Sequence, residues 1–139
     1  MRIRKILAII VVALLISLPF LPTAAHADAT GDPCLNPALA KSTVVVNVAT
    51  ATTTQLVTLQ AGQTIYVCSF VLDFSGTNYT FEYGTGTTCG TGTTAMSGGF
   101  TSALEEGGFT LFHTASGNAM CVVTTGTVAL AGIVVYLQL

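Results

Sequence analysis

Beyond residue 41 the sequence predicts an all-β fold: a single antiparallel β-sandwich of jelly-roll or Ig-like type with about seven or eight strands. Three observations carry this. Runs rich in Val, Thr, Ile, Tyr and Phe follow one another along the chain, and these residues suit a pleated, half-buried surface. Glycine-bearing turns separate the runs: Gln60-Ala61-Gly62-Gln63, Asp73-Phe74-Ser75-Gly76 and Ala115-Ser116-Gly117-Asn118, each read as the tip of a hairpin. No segment after residue 27 repeats apolar residues with the 3.6-residue period of an amphipathic helix.

Before the strands comes an export signal. Arg2, Arg4 and Lys5 precede an apolar run from Ile6 to Leu21, interrupted by Ser17 and Pro19, and Ala25-His26-Ala27 is a small-x-small cleavage site. The run is short for a bilayer, which takes about 20 residues, so residues 1–27 are expected to be removed and the protein to leave the cytosol without a membrane anchor. The destination is then the periplasm, the cell surface or the medium. Residues 28–41 form a proline-containing lead, and residues 42–139 the sandwich.

The strands are expected at Ser42 to Ala49, Thr53 to Gln60, Gln63 to Phe74, Thr77 to Tyr83, Phe109 to Thr114, Ala119 to Thr124 and Thr127 to Leu137, with a shorter one near Thr94 to Ser102. Strict alternation in the third would place Ile65, Val67 and Val71 on one face and Tyr66, Cys68, Phe70 and Leu72 on the other. With both faces apolar, that strand is central or covered by a partner. Residues 84–108 break the pattern. They hold a near-tandem repeat, GTGTTC then GTGTTA, which reads as a long surface excursion held by Cys89 or as a recognition loop. A phosphate loop would need a lysine after its glycines and a following helix, and neither is present.

Charge narrows the partners. After residue 27 the chain has Lys41 against Asp28, Asp32, Asp73, Glu82, Glu105 and Glu106, so 1 − 6 = −5 with histidine neutral. A single cation cannot neutralise a run of phosphates, and nucleic acid is excluded as an expected partner. The four cysteines, Cys34, Cys68, Cys89 and Cys121, suit two disulfides in a small exported domain. No closely spaced ligand pair suggests a metal. Of three connectivities we favour Cys34 with Cys89 and Cys68 with Cys121, because the first two fall in irregular segments and the last two in strands.

Catalytic chemistry is sparse. His113 would be a general base only if a carboxylate such as Asp73 or Glu82 oriented it; the simpler reading is a histidine at a strand end. Glu105 and Glu106 could serve as the acid and base of a glycosidase, but neighbours in sequence rarely face each other across a substrate. Asp73 reads as a turn former and Glu82 as an outward charge that discourages edge pairing. Tyr79, Phe81 and Tyr83 share one face of a strand; such a face is more often core, and in the alternative Tyr79 and Tyr83 are the candidate ligand contacts of a sugar-binding platform. Asn78-Tyr79-Thr80 matches a glycosylation sequon.

Residues 43–139, with AGQTIYVCSFVL, a GTGT-containing connection, FTLFHTASGNAMCVVT and a closing GIVVYLQL, resemble the small β-sandwich domains in structural proteins of tailed phages and prophages. The resemblance implies a role in assembly or surface decoration, with no catalytic residues to carry over. The signal peptide and the cysteines depart from that pattern and favour an exported relative. The expectation is therefore an exported, non-enzymatic β-sandwich with no cofactor or metal, acting through a protein partner or self-assembly at a surface. A small secreted glycan-binding module is the alternative.

Overall fold

The computed structural model describes residues 31–76, 78–102, 104–126 and 128–139. The export segment and its cleavage site lie outside the described residues. Eight strands form: β1 (Ser42–Val48), β2 (Thr53–Val57), β3 (Ile65–Ser75), β4 (Asn78–Thr85), β5 (Thr91–Ala95), β6 (Leu104–His113), β7 (Ala119–Thr125) and β8 (Ala129–Gln138), with a 3-10 turn at Thr87–Cys89. They build two antiparallel four-stranded sheets, ordered β1-β8-β3-β6 and β2-β7-β4-β5. Eight strands in two such sheets, linked mostly by crossings between them, make a jelly roll, which decides between the two sandwich types expected.

The connections correct one expectation. The turns at residues 60–63, 73–76 and 115–118 lead from β2 to β3, β3 to β4 and β6 to β7, and each pair lies in opposite sheets. They are sheet-to-sheet crossings, not hairpins. Turn chemistry reverses the chain in either case, so local residues do not distinguish the two outcomes. Among the described residues the one hairpin, β4 to β5, comes from the tandem repeat: its first copy ends β4 and makes the 3-10 turn, and its second copy forms β5. The expected strand near Thr94 to Ser102 is thus earlier, and residues 84–108 are largely built into the sandwich.

Between the sheets lies one core, with Val46, Ile65, Val67, Phe70, Leu72, Tyr79, Phe81, Met120, Val122, Leu130 and Val134 among its buried members. Phe70 and Phe81 meet across the sheets at a centroid distance of 5.4 Å, and Phe112 joins Phe81 at 5.1 Å. Tyr79 packs edge-on against Phe74 at 4.9 Å. Tilted and edge-on pairs at these separations are the favoured aromatic geometry.

Strand β3 does not alternate throughout. Its register with both β8 and β6 slips between Val67 and Ser69, so Cys68 is the extra residue of a β-bulge. Ile65 and Val67 face the core before the bulge, and Phe70, Leu72 and Phe74 after it. The parity expected for Phe70, Leu72 and Val71 is therefore reversed: Val71 faces out, 46 % exposed. Strand β3 is central, between β8 and β6.

The same bulge explains the disulfides. They join Cys34 to Cys68 and Cys89 to Cys121, not the pairs favoured from the sequence. Cys68 belongs to one sheet and Cys121 to the other. Each packs away from the central core, Cys68 with Cys34, Leu137 and Tyr66, and Cys121 with Cys89, Ala119 and Leu59. The core separates them, so each bonds the irregular segment that crosses its own sheet. Glu82 corrects a further reading: β4 lies between β7 and β5, so its charge guards no edge.

Candidate functional site

The lead is fastened to the outside of the β1-β8-β3-β6 sheet. Asp32 accepts hydrogen bonds from the backbone N–H of Thr110, at 2.9 Å, and from the Thr110 hydroxyl. It also accepts one from the Cys34 N–H at 2.8 Å. These bonds hold its carboxyl below the usual carboxylate range. Opposite Cys68, β6 is irregular too: Gly107 pairs with Ser69 and Phe112 with Val67, so four β6 residues bow out where β3 has one. Thr110 lies in that bow. Asp32 and the Cys34–Cys68 bond thus pin the lead at the point where both strands depart from regular pairing.

Among the described residues, nothing beyond the lead covers the sheet's outer face. Val45, Ile133 and Val71 stand directly opposite one another on β1, β8 and β3 and are 72 %, 40 % and 46 % exposed. The exposed Ala131 lies next to this row. The row ends on β6 at Glu105, the partner of Val71. Isolated exposed aliphatics are ordinary, but three aligned across adjacent strands make a patch, and contiguous apolar patches mark contact surfaces. Two shallow hollows flank the Val71–Glu105 rung, one reaching Ser69, Glu106 and Gly107, the other Leu72, Asp73 and Leu104. The first is open because Gly107 has no side chain; a Cβ there would meet the Ser69 Cβ at 2.5 Å.

The residues singled out from the sequence do not converge on this face as a catalytic set. His113 is exposed, stacks on Tyr66 at 5.6 Å, and places Nδ1 3.0 Å from the Thr114 carbonyl oxygen. Asp73 is at the far end of β3 from Tyr66, and Glu82 is in the other sheet, so neither orients His113. Glu105 and Glu106 are successive residues opposite Val71 and Phe70, whose side chains lie on opposite faces of the sheet. They do not form a facing pair.

Tyr79 is wholly buried, its hydroxyl donating to the Ser102 carbonyl at 3.4 Å, and burial pushes its phenol pKa up. Its ring is core, the simpler of the two readings, and is not available as a ligand contact. Tyr83 is half-buried on the same inward face, and the two make no external platform. Asn78 is half-buried as well, and its side-chain oxygen accepts from the Thr125 hydroxyl at 2.6 Å.

Val45, Ile133 and Val71 were not singled out in the sequence, because they come from three strands whose adjacency only the strand order reveals. The available signal was local: Val44-Val45-Val46 and Ile133-Val134-Val135 put an aliphatic residue at each alternate position, so both faces of those strands are apolar. Among the described residues no group of three histidine, cysteine or acidic side chains is placed to hold a metal, and no helix is long and apolar enough to cross a membrane. No family model, curated protein or solved structure matches the chain. The two disulfides are chemistry of an oxidising compartment, extracellular or periplasmic.

Proposed function

We propose that this protein is an exported, non-enzymatic jelly-roll domain that acts through protein contact as a component of a surface or extracellular assembly. The observation that carries the reading is the row Val45, Ile133 and Val71, an apolar patch laid across three strands of a sheet that residues 31–41 only partly cover. Its likeness in glycine spacing and alternation to phage structural domains supports the same reading, as does the dispersal of His113, Asp73, Glu82, Glu105 and Glu106. The signal-like residues 1–27 and the disulfides support export.

The test is contact in the producing cells. A photo-crosslinking side chain at position 131, beside the row, should give a discrete protein adduct that is lost when Val45→Asp and Ile133→Asp are introduced together. Absence of a discrete adduct, with the protein folded and exported, would overturn the reading. Retention of the unmodified protein on polysaccharide matrices, unaffected by those two substitutions, would favour the glycan-binding alternative instead.

A further inference from the structure

We infer that the β1-β8-β3-β6 face docks a partner polypeptide that is itself aliphatic and cationic, presenting lysine or arginine beside small apolar side chains, and not a second copy of this chain. The inference rests on the proposed contact function and adds the partner's chemistry.

Two features of the face choose the occupant. The apolar row calls for aliphatic contact, and its β6 end is acidic: Glu105 closes the row, and Asp73, two residues along β3 from Val71, borders one of the hollows beside it. A lysine or arginine suits that end because its methylene stem can lie along Val71 while its charged head reaches the carboxylates. Gly107 leaves room for the head by contributing no side chain. A second copy brings the wrong sign. Residues 31–139 contain Lys41 as their one lysine or arginine, against Asp32, Asp73, Glu82, Glu105 and Glu106, and Lys41 lies at the β1 side of the sheet, with its Nζ toward the Asn36 carbonyl. Face-to-face pairing of two copies would bring like charges together with little to offset them, which disfavours that partner while leaving a cationic one attracted.

The test uses the folded, disulfide-bonded protein and two acetylated, amidated peptides, SKVSVKS and its acidic counterpart SEVSVES, titrated at low salt and followed by backbone amide shifts. The expected result is saturable binding of the cationic peptide about fivefold or more tighter than the acidic one, with shifts centred on Val71, Glu105 and Ile133. Glu105→Gln with Asp73→Asn should remove that preference without changing the spectrum elsewhere, and raising the salt should weaken it. Equal affinity for the two peptides, shifts away from this face, or a preference that survives the neutralised variant would overturn the inference. So would a concentration-dependent dimer abolished by Ile133→Asp. If the crosslink at position 131 persists while the peptides are not distinguished, the contact function stands and only the partner's chemistry falls. Absence of the crosslink in the otherwise unsubstituted protein removes both.

Discussion

At the scale of single residues, Gly132 is the position with least latitude. It sits in β8 between β1 and β3, has φ of +146°, and a Cβ built there would lie 2.0 Å from the Val71 carbonyl oxygen. Gly132→Ala should therefore cost at least about 3 kcal/mol, combining backbone strain with a clash against main chain that cannot move aside; chemical denaturation measures it. Thr124 is constrained by hydrogen bonding instead. Its buried hydroxyl accepts from the Thr52 N–H at 3.2 Å and lies 3.1 Å from the Thr50 carbonyl, so Thr124→Val keeps the shape and should still cost about 1–3 kcal/mol by stripping partners from those groups. Glu82 acts in the opposite direction. Burial raises its pKa, so the folded state holds its proton more tightly than the unfolded chain, and stability declines as pH rises through the upper carboxylate range. Glu82→Gln should flatten that decline, as melting temperatures across pH 4 to 7 would show.

Among strands, the bulge at Cys68 was the feature that sequence reading could not supply. Alternation was legible in β3, and the strand's place inside its sheet followed from two apolar faces. Nothing in Val67-Cys68-Ser69 marks an inserted residue, however, because the bulge is set by how β3 meets β8 and β6. One missed residue reversed the faces of Phe70, Val71 and Leu72 and, with them, the reading of Cys68. The lead's attachment at that bulge should be separable from the rest of the fold. The two disulfides span 34 and 32 residues, and in the chain-entropy model each contributes about 4 kcal/mol. Cys89 and Cys121 are completely buried, whereas Cys34 and Cys68 retain slight exposure. We expect replacement of Cys89 and Cys121 by serine to lower the melting temperature further than the same change at Cys34 and Cys68. The latter pair should chiefly accelerate amide exchange at Thr110 and its neighbours. Asp32 gives the lead an acid dependence: its carboxyl titrates below the ordinary value of 3.8, so its contribution is complete above that pH and is lost as pH falls through the lowered pKa. Asp32→Asn should remove that acid dependence of exchange at Thr110.

For the whole molecule, composition and turn spacing were enough for an all-β sandwich with two disulfides, while pairing order was not. Val44, Val134 and Phe70 occupy one rung across β1, β8 and β3, yet they lie far apart in sequence and carry no mutual signal in a chain read alone. The exposed row was illegible for the same reason. Its two edge strands differ in chemistry: β1 carries Val44, Val45 and Val46, and β6 carries Glu105 and Glu106, so charge discourages strand addition along one margin of the sheet and leaves the other uncharged.

The position of β8 has a consequence for biogenesis. It follows the other seven strands in the chain yet lies between β1 and β3, hydrogen-bonded to both. A polypeptide emerging amino end first, from a ribosome or through a translocation pore, has no neighbour for β1 in its own sheet until residues 129–138 arrive, so that sheet is limited to its β3-β6 pair until then. The four cysteines precede β8, and oxidation can begin on a chain whose first sheet is not yet closed. Nascent chains arrested before Ala129 should be cleaved rapidly by protease, and chains extended past Gln138 by enough linker to clear the exit should resist. Late closure of this kind keeps the growing chain extended until its last strand has emerged.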